Sequence, residues 1–156
     1  MTMHPLSPGG NTLVILDACV LLPSRLSDVL FDLMLEGLYF AYWTSDVEAE
    51  FLRNWPQVHP DASKSGAKRL KVFQLAVNNA HLITGYADTR KLGIEVMKAG
   101  AFLDRQFLAA PARTSQAIAK SLSDLTKPPY SKAELAAALR LHGAKATADG
   151  LERATG

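Results

Sequence analysis

Cysteine is nearly absent: Cys19 is the only one in 156 residues. A single thiol excludes an intrachain disulfide framework and any cysteine-built zinc cluster, and it suits a reducing cytoplasm. Long hydrophobic runs are also lacking. None approaches the roughly 18 residues of a membrane-crossing helix, so no membrane span is expected. Charge of one sign is scarce, since 17 Lys+Arg against 15 Asp+Glu leave only +2. That balance gives no strong nucleic-acid signal. There is no G-x-x-x-x-G-K-[ST] and no G-x-G-x-x-G, so neither common phosphate-cradling loop is present. The four histidines, His4, His59, His81 and His142, show no paired ligand spacing, which argues against a zinc site. Neither an internal repeat nor a low-complexity tract is visible. What remains is ordinary globular material, 48% hydrophobic and 21% charged, which rules out a wholly disordered chain. The length suits one domain, or one domain with an appendage.

Met1 to Asn11 lacks a basic-then-apolar signal pattern and reads as a loose, flexible terminus. Thr12 to Asp17 is a short run of β-formers of the kind buried on both faces in a parallel sheet. Leu26, Val29, Leu30, Leu33 and Met34 fall at helical spacing, which predicts an amphipathic helix over 24–36, ended by Gly37. Leu38 to Trp43 reads as a second strand. Ser45 and Glu48 match a capping box, opening a helix to about Asn54, and 60–79 reads as a longer helix carrying Leu70, Phe73 and Val77 on one face. His81 to Thr84 and Ile94 to Met97 are strand candidates. Beyond Gly100 the texture is helical. Phe102, Leu103, Phe107 and Leu108 form one face, and a further helix runs to Leu125. Pro128-Pro129 breaks the chain, a capping box at Ser131 and Glu134 opens a helix ending at Gly143, and a short helix closes at Arg153.

The most informative local feature is Asp17, an acid at the carboxyl end of the first strand, the edge where sites form in open α/β sheets. The alternative is an Asp that merely caps a turn or the next helix. A second group is Asp46, Glu48 and Glu50. Glu48 has a capping role, Asp46 sits in a helix first turn where negative charge is stabilised, and Glu50 shares a face with Asp46. On spacing alone, a solvated acidic face is the simpler reading of these. Carboxylates from two elements can hold Mg²⁺ or Mn²⁺, hard ions that prefer oxygen and assist phosphodiester cleavage. Cys19, following the strand, reads as a small core residue rather than a nucleophile. The cluster from Lys64 to Lys71 reads first as a solvated helix face and second as a phosphate contact.

Val14-Ile15-Leu16-Asp17-Ala18-Cys19-Val20-Leu21 resembles the first strand and leading metal-binding Asp of the PIN-domain family, the fold of VapC-type toxin ribonucleases. Leu26-Ser27-Asp28-Val29-Leu30 is similar to the following helix, with Ser27 where close relatives often carry Arg. Trp43-Thr44-Ser45-Asp46-Val47-Glu48-Ala49-Glu50 resembles the segment leading to the second metal acid, at Glu50. Leu125 to Ser131, with Leu135, Gly143 and Leu151-Glu152-Arg153, resembles a helical extension of one bacterial PIN subgroup.

The resemblance implies α/β architecture, a PIN-like three-layer sandwich with a short, incomplete parallel sheet, followed by an all-helical C-terminal extension. The boundaries are a flexible 1–11, a shortened α/β domain at 12–100 and the extension at 101–156. The family's two later acidic motifs do not stand here. The chain passes from Thr84-Gly85-Tyr86 almost directly to Leu92-Gly93-Ile94, which implies a missing helix and strand, with Asp88 as a displaced remnant of the last motif. The implied activity is a Mg²⁺- or Mn²⁺-dependent endoribonuclease of toxin–antitoxin type with an incomplete acidic site, Asp17 and Glu50 being catalytic and Asp17, Glu50 and Asp88 metal-binding. RNA and an antitoxin protein are the implied partners. The alternative is a non-catalytic PIN derivative that binds or dimerises. A missing strand leaves sheet edges open, and pairing with a second copy is the cheapest repair, so a cytoplasmic homodimer is expected.

Overall fold

The computed structural model describes residues 12–77, 95–124 and 130–154. The chain is mixed α/β. Strand β1 (Leu13–Ile15) pairs in parallel with β2 (Phe40–Tyr42), setting Leu13 opposite Phe40 and Ile15 opposite Tyr42. Between them lie the four-residue helix α1 (Ala18–Leu21) and α2 (Ser24–Leu35). The apolar stripe of α2 is the expected one, with Leu26, Val29, Leu30 and Leu33 buried. It ends in a Schellman motif: Gly37, at φ +74°, donates to Met34 O at 2.8 Å and Leu38 to Leu33 O at 3.1 Å.

The first strand is shorter than the sequence predicts and is not buried on both faces. Leu13 is 55% exposed, Ile15 42% and Phe40 52%. Side chains alternate along a strand, so Val14, Leu16 and Ala41 turn toward the core, and the other face has no cover among the described residues.

Helix α3 (Ser45–Val58) also departs from expectation at both ends. Its N-cap is Thr44, whose hydroxyl accepts from Val47 N at 3.3 Å, so Ser45 and Glu48 form no capping box. Thr44 is the last extended residue after β2 and is buried, which leaves Ser45 as the first helical position. At the far end the helix runs through Pro56 instead of stopping at Asn54. Pro56 forgoes one backbone bond, but Trp55 anchors the turn: its ring is buried and its Nε1 donates to Ala62 O at 2.9 Å. The long helix expected over 60–79 breaks at Ala62, giving a 3₁₀ segment (Pro60–Ser65) and α4 (Gly66–Ala76). Leu70 and Phe73 face inward as expected. Glu95 to Lys98 has no regular structure, so the strand predicted there is not formed over those residues. Ile94 and the His81–Thr84 candidate lie outside the described residues.

Four more helices follow among the described residues: α5 (Ala99–Ala109), α6 (Pro111–Asp124), α7 (Lys132–Leu141) and α8 (Lys145–Arg153). The Ser131–Glu134 capping box is fully formed. Gly143, at φ +84°, ends α7 in a second Schellman motif, with Ala144 donating to Leu139 O at 2.9 Å. Phe102 and Leu103 are buried, but Leu108 is 72% exposed and does not share their face. One hydrophobic cluster runs from Leu16 to Leu151, so the core is continuous across residue 100. Tyr39 meets Phe102 edge-on at 5.1 Å, and Tyr39 Oη donates to Leu30 O at 2.5 Å.

Candidate functional site

The end of β1 delivers Asp17 to the first turn of α1. Its backbone is still extended, at φ −96° and ψ 161°, and its side chain caps α1. Oδ1 accepts from Ala18 N at 2.7 Å, and Oδ2 accepts from the Cys19 thiol at 3.3 Å. The capping alternative is therefore true of Asp17. It does not exhaust the carboxylate, because each oxygen keeps a further lone pair and the residue is exposed.

Cys19 is exposed, not a core residue as expected. Its thiol is pushed up to about 11. Partial burial is the largest cause, followed by the hydrogen bond to Asp17, the charge of Asp17 and, opposing a backbone hydrogen bond, the charge of Glu50. Two negative groups from different elements thus act on one sulfur. Asp17 comes from the β1–α1 junction and Glu50 from the second turn of α3, where it is half-buried. α1 packs along α3, which is how the two are brought to the same neighbourhood. The thiol itself stays protonated near neutral pH and is not a nucleophile here.

Both candidate ligands are hard oxygen donors. Such a pair suits Mg²⁺ or Mn²⁺, ions that retain several waters and take one or two carboxylates together with substrate phosphates. It does not make an all-protein cage. Among the described residues, no three His, Cys, Asp or Glu are grouped to hold an ion. Asp46 is exposed in the first turn of α3, and Asp88 lies outside the described residues.

The surrounding polar residues are bracing groups. Glu48 accepts from Trp43 Nε1 at 3.0 Å and from Gln74 Nε2 at 2.9 Å, tying the start of α3 to β2 and α4. Arg69, on α4, pairs with Asp28 and donates to Ser27 Oγ at 3.0 Å and Ser24 O at 3.2 Å. It also lies over the Phe73 ring, 4.8 Å from its centre. The guanidinium beside Asp28 thus comes from α4, 41 residues along the chain, as well as from Arg25 at 3.6 Å. His59 is likewise structural: Nε2 lies 2.7 Å from Leu22 O, and the ring packs on Trp55 with centroids 4.0 Å apart. Sequence separation hides these links. Only the short-range ones, Asp17 to Ala18 and the Ser131 box, leave a local signature.

Residues 99–153, which span α5 to α8, match the family described as the VapC50 C-terminal domain. That segment is similar to the family's C-terminal domain; the match reaches neither Asp17 nor Glu50. No curated protein and no solved structure matches the chain. No helix among the described residues is long and apolar enough to cross a membrane.

Proposed function

We propose that the chain is a PIN-like toxin of VapC type, a Mg²⁺- or Mn²⁺-dependent endoribonuclease that works in the cytoplasm with a reduced acidic site. The observation that carries this reading is Asp17, an exposed acid at the carboxyl end of β1, with Glu50 on α3, the helix along which α1 packs. The VapC50 C-terminal match over 99–153 supports the family context and, with it, an antitoxin partner. When bound, the ion supplies an activated water and stabilises charge developing on a phosphodiester. Asp17 and Glu50 would hold it, and the backbone amide of Ala18 fixes the orientation of Asp17. Two carboxylates leave the ion's other positions to water and RNA phosphate, so affinity for the ion is low. The exposed Leu13, Ile15 and Phe40 support a homodimer, which light scattering at micromolar concentration tests directly.

A second reading is a non-catalytic derivative that binds protein partners. It is favoured by the lack, among the described residues, of any group of three metal-ligating side chains. Cleavage of single-stranded RNA with Mn²⁺, compared between the native chain and Asp17→Asn, decides between them. Cleavage lost in the variant supports the nuclease. No cleavage by either, with no Mn²⁺ uptake by calorimetry, supports the binding module.

A further inference from the structure

The stretch from Asp61 to Lys71 holds four cations, Lys64, Lys68, Arg69 and Lys71, against one acid, in a chain whose net charge is only +2. Arg69 turns inward to Asp28, and the other three are exposed. None of these lysines has a carboxylate partner among the described residues. Four other cations pair with carboxylates, Arg25 on Asp28, Arg105 on Glu95, Lys120 on Asp32 and Asp124, and Arg140 on Asp149 and Glu152, and the described cations left over, Arg53, Lys98, Lys145 and Arg153, are scattered along the chain. Arg113 and Lys132 donate to the carbonyls of Glu36 and Ala154.

Lys68 and Lys71 fall at i and i+3 on one face of α4, and Lys64, in the 3₁₀ segment just before it, borders the same hollow as Lys68, so the three form a row. Over seven residues the row is on the order of 10 Å long, the span of a short run of backbone phosphates. Lys64 and Lys68 border an open hollow of about 500 Å³, together with Asp61, Ala62, Ser63 and Ser65. The hollow is open rather than enclosed, so a backbone can lie across it. Gly66 and Trp55 hold this unit on α3, five residues beyond Glu50, which is ~7.5 Å along the helix.

We propose that the Lys64–Lys68–Lys71 row is a docking surface for the phosphates of single-stranded RNA. This rests on the RNA-directed reading above and adds where the strand is held outside the acidic site. The contacts are to phosphate, so they give affinity without base preference. The balanced charge of the whole chain conceals the row, because acids elsewhere cancel it.

The test is binding of a short fluorescein-labelled single-stranded RNA to the full chain in EDTA, followed by anisotropy from about 50 to 200 mM salt. The variant Lys64→Ala/Lys68→Ala/Lys71→Ala removes three phosphate contacts. Its slope of log affinity against log salt should fall by about 2, at roughly 0.7 per contact on a single strand. The control Lys98→Ala/Lys145→Ala/Arg153→Ala makes the same charge change elsewhere and should keep the native slope. An unchanged slope in the first variant, an equal loss in the control, or no RNA binding by the native chain overturns the surface. Circular dichroism checks that both variants fold. Row-dependent binding without cleavage in Mn²⁺ leaves the surface standing and removes the nuclease. Cleavage by the native chain and the row variant with equal KM does the reverse.

Discussion

Replacing Asp104 with alanine should loosen α8 from α5. The N-terminus of α8 has no cap of its own, because Ala144 stands at the N-cap position and offers no side-chain acceptor. Asp104, on α5, supplies one. Its carboxylate accepts from Ala146 N at 3.1 Å, Thr147 N at 2.8 Å and Thr147 Oγ1 at 2.7 Å. Loss of a helix cap costs about 1 kcal/mol. The Thr147 hydroxyl is fully buried, and leaving it unpaired adds roughly 1–3 kcal/mol. The sum is roughly 2–4 kcal/mol, a fall of several degrees in Tm for a chain of this size. Urea denaturation at pH 7 measures it, with m unchanged. Asp104→Asn keeps an oxygen acceptor and should cost about 1 kcal/mol or less. In a Thr147→Val background the hydroxyl is gone, so Asp104→Ala should cost only the cap, about 1 kcal/mol. A loss below about 0.5 kcal/mol in the single variant, or equal losses in both backgrounds, would refute the assignment of Asp104 as the cap of α8.

Three further outcomes are expected. Burial drives the Tyr39 phenol far above its ordinary value. Its neutral form is therefore favoured by folding, so this contribution is intact below about pH 10 and is lost as pH rises beyond it. Tyr39→Phe should flatten the alkaline limb of a stability–pH curve, and an unchanged limb would show that Tyr39 does not govern it. The Cys19 thiol, near 11, should react slowly with iodoacetamide at pH 8 despite its exposure. Asp17→Asn and Glu50→Gln should each speed the reaction, Asp17→Asn more, and equal rates in all three proteins would separate the acids from the thiol. Arg69→Ala should cost about 1–2 kcal/mol in urea, less than a fully buried pair because both partners are partly exposed. Adding Asp28→Asn should recover part of that loss, and a further equal loss would contradict the pairing.

Signals confined to one turn of chain were legible in the sequence. Gly37 and Gly143 end their helices because each motif needs a left-handed residue at one position, and Ser131 with Glu134 is complete within four residues. The shift from Ser45 to Thr44 shows the limit of such reading. Both residues can cap, and the choice is made by where β2 ends. The Leu13–Leu16 run shows another. Apolar residues declare that a strand can be buried on both faces, not that anything covers the second face. At the candidate site, the position of Asp17 followed from the strand end, whereas the joint action of Asp17 and Glu50 on Cys19 depends on α1 lying along α3, which no spacing encodes.

The helical C-terminal segment bears on the site through α2. A two-stranded sheet is too small to be stable alone and must borrow a core. On one side, Phe31 of α2 stacks on Phe73 of α4 with centroids 4.3 Å apart and meets Trp43 at 5.9 Å, beside the strands. On the other side α2 packs against α6 and α7, with Lys120 of α6 reaching Asp32 at 3.6 Å. Arg113 of α6 also donates to the Glu36 carbonyl at 2.5 Å, closing the end of α2 that leads into β2. The helices that match the VapC50 C-terminal domain therefore form the second wall of the core on which the acids are mounted. Arg113 thus braces the turn that leads into β2, and a cavity made deep in α6 should loosen α2 and the strands by the same route.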